Sequence, residues 1–250
     1  MYNPFLIEGK TFLITGASSG IGQATAVECA KMGAHVIITG RNEERLHHTL
    51  NNMEGDGNMA FVADLDEEEE ILKLTEKIPL LDGMVSNAGI GLGTKPASFY
   101  KKDEIKRVFL TNTISAALLV KGLIKKKKLN NPSSIVFTSS IEGNSITTIG
   151  NGIYGMSKAA LSAYAKTIAL ELAPKGVRCN IVTPGMVNTP LIAPTGELTQ
   201  EQLDANAAKY PLKRYGNPQD VAWGIIYLLS DAACWVTGSV LKIDGGITLV

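Results

Sequence analysis

Short runs of β-branched and apolar residues alternate along the chain with longer stretches in which apolar residues recur at helical spacing. Seven such runs predict strands, over residues 11–15, 35–39, 59–62, 83–86, 134–138, 178–183 and 240–243. The intervals predict helices over residues 21–32, 43–52, 67–78, 101–123, 155–173 and 218–229. Nearly continuous apolar strands separated by helices are typical of a parallel sheet covered on both faces. The pattern therefore predicts an α/β fold with a doubly wound parallel sheet of about seven strands.

The length of the chain, 250 residues, is enough to bury one large core and does not require a second domain. We therefore expect a single domain over residues 1–250. Residues 188–210, between the sixth predicted strand and the last predicted helix, mix apolar and polar side chains, among them Leu191, Ile192, Leu198 and Leu203. This composition is expected of a lid over a substrate.

The charge balance argues against several kinds of partner. Lysine plus arginine and aspartate plus glutamate number 24 each, so no strong field favours nucleic acid or an anionic membrane. No stretch approaches the ~20 apolar residues of a membrane span, and the N-terminus has no leader pattern. We expect a cytoplasmic protein with a small-molecule partner. Cys29, Cys179 and Cys234 lie in apolar runs without metal-ligand spacing, which predicts buried free thiols and no metal site.

A glycine-rich turn follows the first predicted strand and opens the first predicted helix. Glycines let a phosphate approach the main chain, and the helix N-terminus offers N–H groups and a partial positive charge. An ordinary turn has a similar composition, but the position between strand and helix favours a pyrophosphate site. The residues expected to bind it are Gly16, Ser18, Ser19, Gly20, Ile21 and Gly22.

This turn has the form T-G-x-x-x-G-x-G, and further motifs follow it over nearly the whole chain. They are Asp64-Leu65, Asn87-Ala88-Gly89, Asn112, Ser140, Tyr154-x-x-x-Lys158, Pro184-Gly185 and Asp244-Gly245-Gly246. Each is weak alone, but together they resemble the short-chain dehydrogenase/reductase family in its compact, single-domain branch. The resemblance implies a Rossmann fold and an NAD(P)-dependent oxidoreductase that moves a hydride between a nicotinamide ring and a ketone or secondary alcohol.

The resemblance also implies contacts to the nucleotide beyond the glycine turn. Asp64 is expected to bind the adenine amino group, and the main chain of Val187 and the hydroxyl of Thr189 are expected to hold the carboxamide. Lys158 is expected to bind the nicotinamide ribose. The remaining expected contacts after the third, fourth and sixth strands are Leu65, Asn87, Ala88, Gly89, Pro184 and Gly185.

Tyr154 and Lys158 are four residues apart at the start of a predicted helix, so both side chains project from one face. A free tyrosine titrates near pH ~10, and a nearby cation favours its phenolate. We therefore expect Lys158 to lower the pKa of Tyr154 and Tyr154 to act as the acid/base. An exposed Tyr and Lys on a helix surface is the alternative interpretation of the same spacing.

Ser140 follows the fifth predicted strand, where its hydroxyl can donate to a carbonyl oxygen as negative charge develops there. Ser139 is the rival, but Ser140 occupies the position of the family's catalytic serine. Thirteen residues separate Ser140 from Tyr154, one more than the commonest family spacing, which predicts an inserted loop residue. Asn112 resembles the family's helix-breaking asparagine, whose main-chain carbonyl holds a water in the proton relay to lysine; an ordinary buried polar residue is the alternative.

The second strand ends in Gly40-Arg41, where NAD-preferring relatives place an acidic residue at the Gly40 position. The Arg41 guanidinium suits a 2′-phosphate, so NADP(H) is favoured and NAD(H) stays possible. Arg41 can also be an ordinary surface residue or stack on the adenine.

The closest general resemblance is to 3-oxoacyl-acyl-carrier-protein reductases. Lysines 125–128 and Lys175 lie roughly where that group carries cations for an acidic carrier, although a solvated helix face also explains them. Oxidation of a sugar, polyol or steroid-like alcohol is the alternative activity. A non-catalytic dinucleotide sensor is the alternative class, disfavoured because such proteins typically lose the tyrosine or lysine that this chain retains.

The predicted helices 101–123 and 155–173 carry apolar or small residues around much of their circumference, and residues 247–250 form an apolar end. A helix that is apolar on more than one side needs a second partner. In the resembled family these regions form two kinds of dimer contact, so the resemblance implies a homotetramer.

Overall fold

A seven-stranded sheet forms the centre of the computed structural model, which describes residues 2–191 and 199–250. The strands are β1 (Thr11–Thr15), β2 (His35–Gly40), β3 (Met59–Val62), β4 (Leu81–Ser86), β5 (Leu129–Thr138), β6 (Val177–Pro184) and β7 (Val240–Ile243). Their order is β3-β2-β1-β4-β5-β6-β7, and every neighbouring pair is parallel. The predicted doubly wound parallel sheet is confirmed.

Eight α-helices connect or follow these strands in the described part of the chain. They are α1 (Gly20–Lys31), α2 (Glu43–Asn51), α3 (Glu68–Lys77), α4 (Lys102–Phe109), α5 (Ser115–Lys125), α6 (Gly152–Leu172), α7 (Gln200–Ala207) and α8 (Pro218–Leu229). Helix α7 lies inside the segment predicted as a lid and was not predicted, because its sequence has little apolar periodicity. Its local signal is a capping box: Thr199 accepts from the Gln202 N–H at 3.3 Å, and the Gln202 side chain accepts from the Thr199 N–H at 2.9 Å.

The helix predicted over residues 101–123 contains a π turn, Leu110–Ile114, between α4 and α5. The stretch Lys102–Lys125 is long and apolar enough to span a membrane by length and composition alone. Half of its apolar window is buried inside the protein, as it is in the core helix of a soluble protein, so this match is weak evidence for a span.

Two apolar cores cover the two faces of the sheet. In β1, Leu13 points to the side of α3, α5 and α6, whereas Phe12 and Ile14 point to the side of α1 and α8, and all three are fully buried. This alternation follows from the two-residue period of a strand. Burial of both faces explains why the strands are apolar throughout.

The cysteine prediction is wrong at one position. Cys29 and Cys179 are buried free thiols, as expected, but Cys234 is exposed. It ends the short turn after α8, where apolar neighbours in sequence do not become neighbours in the core. In the described residues no cluster of histidine, cysteine, aspartate or glutamate could hold a metal ion.

Candidate active site

The predicted site residues converge at the carboxyl edge of the sheet. Strands β1, β4 and β5 are adjacent, so the loops that follow them lie side by side. From β1 the chain proceeds outward to β2 and β3 and then crosses back to β4 on the other side of β1, and ligands of open α/β sheets bind beside such a switch point. The geometry therefore brings together the glycine turn, Asn87-Ala88-Gly89 and the Ser140 loop.

The glycine turn leaves no room for side chains at two of its positions. Gly16 has φ +63°, and a Cβ placed on it would lie 2.8 Å from the Cα of Ala88. A Cβ on Gly22 would lie 2.5 Å from the carbonyl oxygen of Gly16. Glycine at these positions lets the turn pack against the loop after β4 and against itself, and it leaves the main chain there without side chains, as a pyrophosphate site requires.

The N-terminus of α1 opens from this turn. Ser19 has an extended backbone at the N-cap, and within the described chain its side chain makes no capping hydrogen bond. The first main-chain N–H groups of α1 can therefore bind an anion, where the helix dipole also favours negative charge. The geometry fits the diphosphate of a dinucleotide.

Thr15, the residue before the turn, is a site residue that the sequence predictions missed. Its hydroxyl accepts from the N–H groups of Asn87 at 2.9 Å and Ala88 at 3.1 Å, which joins β1 to the loop after β4. The Asn87 side chain donates to the Thr15 carbonyl at 3.3 Å. A buried threonine directly before the first glycine was the available signal.

Arg41 lies at the end of β2 and is half-exposed. Its Nη1 is 4.0 Å from an Asp64 oxygen and 3.9 Å from an Asp66 oxygen, distances that allow attraction but leave its N–H donors to other acceptors. A Cβ on Gly40 would meet only ordinary contacts, 3.5 Å from the Ser18 hydroxyl. Residue 40 therefore has space for the first atom of an acidic side chain, but this chain has glycine there. Leu65 is buried in the core, so only its main chain could reach a ligand.

Ser140 and Ser139 point in different directions. The Ser139 hydroxyl donates to the Lys158 carbonyl at 2.9 Å and accepts from Asn144 and Ser162, all within the protein. The Ser140 hydroxyl instead accepts from the Glu142 N–H at 3.1 Å and interacts with the phenol of Tyr154. Of the two serines, the geometry places Ser140 beside the predicted acid/base.

Lys158 is buried beneath Tyr154. Its Nζ donates to the main-chain oxygen of Thr138 at 2.9 Å and lies 5.8 Å from the centre of the Tyr154 ring. Burial lowers the pKa of Lys158 to about 8. Gly89 borders this ammonium, because a Cβ there would lie 3.2 Å from Nζ.

The expected pKa shift of Tyr154 is wrong in direction in this structure. Burial raises the pKa of Tyr154, the hydrogen bond from Ser140 lowers it, and the charge of Glu142 raises it further. Lys158 does not offset this rise; its Nζ donates to the Thr138 carbonyl. The protein groups alone therefore favour the neutral phenol.

Asn112 lies within the π turn and is buried. Its side chain accepts from the Ile90 N–H at 2.8 Å and donates to the Ile90 carbonyl at 3.0 Å and to Ser157 at 3.0 Å. These bonds fix the loop after β4 against α6. A π turn shifts main-chain hydrogen bonding by one residue and often marks a functional position.

The loop after β6 returns to the glycine turn. Pro184 ends β6. The next residue, Gly185, packs closely against Asp244, because a Cβ placed on Gly185 would lie 3.1 Å from the Asp244 Cα. A Cβ on Gly20 would lie 3.0 Å from the Thr189 methyl group. Thr189 therefore borders the N-terminus of α1, next to the predicted diphosphate site, and Val187 is buried behind it.

Known proteins resemble this chain over nearly its whole length. A sequence model of the short-chain dehydrogenase/reductase type, described as Enoyl-(Acyl carrier protein) reductase, matches residues 16–248. The 3-oxoacyl-(acyl-carrier-protein) reductase FabG of Rickettsia felis is 38% identical over 244 residues, 98% of this chain and 99% of the relative. The chain belongs to the short-chain dehydrogenase/reductase family.

Two solved structures extend the comparison. The 3-ketoacyl-(acyl-carrier-protein) reductase of Brucella melitensis, complexed with NADH, aligns with a TM-score of 0.86 at 28% identity over 96% of this chain and 99% of that one. A putative gluconate 5-dehydrogenase of Beutenbergia cavernae with bound NADP aligns with a TM-score of 0.89 at 30% identity over 99% of this chain and 100% of that one. This member of the family is an NAD(P)-dependent oxidoreductase.

The lid predicted for this short-chain dehydrogenase/reductase is described only in part. Residues 192–198, which include Ile192 and Leu198, lie outside the described residues. Leu191 is 58% exposed beside the cleft, and Leu203 is half-buried in α7. Beyond α7, Tyr210 is buried and its hydroxyl accepts from the Met186 N–H at 3.0 Å.

Two lysines of the run 125–128 make contacts within this short-chain dehydrogenase/reductase. Lys126 pairs with Glu76 at 2.7 Å, and Lys128 donates to the Ile78 carbonyl at 2.6 Å, near the end of α3. The run precedes β5, whereas Ser140 follows it. A strand of ten residues separates them by roughly 30 Å at ~3.3 Å per residue. The lysines therefore lie at the sheet edge opposite the candidate site of the same chain.

Proposed function

We propose that this chain is an NADP(H)-preferring reductase of 3-oxoacyl thioesters, free or bound to a carrier protein. One observation carries the proposal: Ser140, Tyr154 and Lys158 converge beside a bare glycine turn. The choice of a 3-oxoacyl substrate is supported by the 38% sequence identity to the Rickettsia felis reductase, which extends over nearly the whole of both chains.

The mechanism assigns separate tasks to the residues of the site. When bound, a nicotinamide nucleotide supplies the hydride that adds to the carbonyl carbon. Ser140 and Tyr154 donate hydrogen bonds to the carbonyl oxygen, which stabilises the negative charge that develops there. Tyr154 then transfers its proton to that oxygen, and its neutral phenol is the form that burial and Glu142 favour.

Lys158 and Asn112 assist the proton transfer from Tyr154. The Lys158 ammonium stabilises the phenolate left after proton transfer and is placed to bind a ribose hydroxyl. The main-chain carbonyl of Asn112 holds a water that returns a proton toward Lys158. The Asn112 side chain does not compete for that role, because it is already bonded to Ile90 and Ser157.

The nucleotide contacts of the proposal follow the predicted residues. The α1 N-terminus and the glycine turn bind the diphosphate, Asp64 and residues 87–89 line the adenosine, and the loop at Val187 and Thr189 holds the carboxamide. Arg41 is placed for a 2′-phosphate, because it is half-exposed and only loosely paired with Asp64 and Asp66. The lack of a carboxylate at residue 40 also supports NADP(H).

Three exposed apolar residues lie on the segments that follow β4, β5 and β6, strands whose carboxyl ends border the site. Phe99, Ile149 and Leu191 are 68%, 90% and 58% exposed. Such residues suit an acyl chain. Oxidation of a sugar or polyol is the second candidate, supported by the alignment with the putative gluconate 5-dehydrogenase.

The proposal includes a single cytoplasmic domain with a lid over residues 188–210, assembled as a homotetramer, without nucleic-acid or membrane partners. Leu170 on α6, Leu249 and Val250 are 79%, 83% and 85% exposed in one chain, which favours coverage by further copies. Sedimentation of the purified protein should give a species near four times 26.6 kDa, and removal of residues 247–250 should shift it toward dimers. A monomer at micromolar concentration contradicts the assembly.

The activity is tested by following the absorbance of NADPH and NADH with a panel of acetoacetyl thioesters, keto-sugars, cyclic ketones and steroids. We expect acetoacetyl thioesters to be reduced with the highest kcat/KM and NADPH to be preferred. Turnover of keto-sugars alone would replace the acyl substrate with the second candidate. Binding of nucleotide without turnover of any carbonyl compound would contradict catalysis.

A further inference from the structure

Glu142 is a buried carboxylate that the mechanism above does not use. It lies two residues after Ser140, on the loop between β5 and α6, and is only 9% exposed. Within the described chain no lysine, arginine or histidine pairs with it. Both carboxylate oxygens instead accept from Thr148: one from its hydroxyl and the other from its N–H at 3.2 Å. A buried carboxylate is costly unless it is hydrogen-bonded, so these contacts indicate a specific placement.

The main chain of Glu142 acts directly on Ser140. The Glu142 N–H donates to the Ser140 hydroxyl oxygen at 3.1 Å. The Ser140 hydroxyl also interacts with the Tyr154 phenol, so it lies between the main chain of residue 142 and the predicted acid/base. The position of residue 142 therefore affects the placement of the Ser140 hydroxyl.

The loop around Glu142 is pinned to the helix that carries Tyr154. Gly143 has φ +76°, and a Cβ placed on it would lie 2.1 Å from the carbonyl oxygen of Gly155. The Ile141 carbonyl accepts from the N–H groups of three following residues, 144 to 146. This compact turn contains the longer spacing between Ser140 and Tyr154. The Glu142–Thr148 contact closes the turn on its outer side.

The charge of Glu142 also reaches Tyr154. It raises the pKa of the phenol, in the same direction as burial. The other charged group close to Tyr154 in the described chain is Lys158, on α6 itself. On the loop that contacts Gly150, Lys95 is paired with Glu104 at 2.6 Å. Glu142 is linked to the Tyr154 site through Ser140, whose hydroxyl oxygen accepts from the Glu142 N–H.

We propose that Glu142 is a positioning residue for the Ser140–Tyr154 pair. Its hydrogen bonds with Thr148, called here the Glu142–Thr148 clasp, hold the main chain that contacts Ser140, and its carboxylate puts a negative charge on the Ser140 side of the phenol. This inference rests on the proposed function, since it assigns roles within the same site. It concerns a residue that the motifs do not include.

The charge role is tested with Glu142→Gln, which keeps the size of the side chain and an acceptor for Thr148. Oxidation of a 3-hydroxybutyryl thioester requires ionised Tyr154, so its rate rises with pH. In the variant this rise should move down by about 0.5–1 pH unit, because an anion that opposes ionisation is gone. Glu142→Asp keeps the charge, so the pH at which its oxidation rate rises should match that of the wild type. A shift below about 0.2 pH unit in Glu142→Gln overturns the charge role.

The clasp is tested with Thr148→Val, which removes the hydroxyl and keeps the charge of Glu142. Its kcat for acetoacetyl thioester reduction should fall about 3- to 10-fold, with the pH at which oxidation rises unchanged, because one hydrogen bond worth ~1 kcal/mol is lost. Thr147→Val is the matched control on the exposed neighbour and should behave as wild type. A Thr148→Val enzyme with wild-type kcat overturns the clasp.

Tyr154→Phe separates failure of this inference from failure of the proposed function. If Tyr154→Phe is active, the proposed mechanism fails. The pH dependence of thioester oxidation then no longer reports the ionisation of Tyr154. If Tyr154→Phe is inactive while Glu142→Gln and Thr148→Val both match wild type, only the role of Glu142 fails. Melting temperature and NADPH titration should show that each variant is folded and binds nucleotide.

Discussion

The cleft has two walls that are built by different means. The nucleotide wall, residues 15–22 with 87–89, consists of main chain that approaches main chain: Gly16 against Ala88, and Gly22 against the carbonyl of Gly16. The catalytic wall, residues 138–158, consists of side chains that reach across from one element to another, such as Lys158 to the Thr138 carbonyl. A substitution in the first wall disturbs main-chain packing, whereas a substitution in the second wall can remove one side-chain group and leave the main chain in place.

This difference predicts how each wall fails when a residue is changed. Substitutions in the catalytic wall should change kcat and leave folding and nucleotide affinity nearly intact. Substitutions in the nucleotide wall should change stability or nucleotide affinity and leave the chemical step alone.

The largest effect is expected for Tyr154→Phe, which removes the proton and keeps the ring. We expect kcat to fall roughly 100- to 10,000-fold, the usual contribution of a general acid, with NADPH affinity within a few-fold of wild type. Stopped-flow or steady-state reduction, together with a fluorescence titration of NADPH, measures both quantities. A folded variant with more than about a tenth of the wild-type kcat would show that Tyr154 is not the acid.

The next largest effect separates the two neighbouring serines. Ser140→Ala removes a donor to the developing oxyanion and should lower kcat roughly 100- to 1000-fold. Ser139→Ala is the matched control: its hydroxyl bonds only to protein groups, so it should cost about 1 kcal/mol of stability and little activity. Reversal of the two outcomes would assign the donor to Ser139.

A smaller effect tests cofactor choice at Arg41, which follows β2 and lies outside both walls. Arg41→Ala should weaken NADPH by roughly 1.5–3 kcal/mol, a 10- to 150-fold change, and leave NADH nearly unchanged, because one charge-assisted contact to the 2′-phosphate is lost. Arg45→Ala makes the same change in net charge one helical turn away and serves as the control. Equal losses for NADPH and NADH would show that Arg41 does not contact the phosphate.

The smallest effect on turnover is expected for Thr15→Val. Two buried N–H groups, of Asn87 and Ala88, lose their acceptor, which should lower the free energy of unfolding by about 1–3 kcal/mol. At saturating nucleotide and substrate, kcat should stay within about twofold of wild type, since the side chain takes no part in chemistry. Urea unfolding and saturated kinetics measure the two. Unchanged stability with a large loss of kcat would contradict the division between the walls.

The features predicted from sequence are those that neighbours in the chain determine. The apolar strands, the bare turn at Gly16 and the four-residue spacing of Tyr154 and Lys158 all depend on local pattern, and the structure contains each of them. Alternating strands and helices predict the parallel sheet, but they do not determine the strand order β3-β2-β1-β4-β5-β6-β7 that the structure has.

The features that sequence did not predict depend on contacts between distant parts of the chain. The pKa of Tyr154 is raised chiefly by burial, and that burial depends on how distant parts of the chain pack around the phenol. The clasp between Glu142 and Thr148 depends on how a loop folds back on itself. Helix α7 lacks an apolar stripe, so only its capping box at Thr199 marks its start.

The unequal exposure of the three cysteines makes the protein suitable for site-selective labelling. A thiol reacts as its thiolate, and burial raises the pKa of Cys29 and Cys179, so both should resist alkylation in the folded state. Cys234 is exposed and is followed by Trp235, which is 97% exposed. A maleimide dye should therefore attach at one position, beside an indole able to quench it. Its brightness would report whether another molecule covers this face, without any change to the natural sequence.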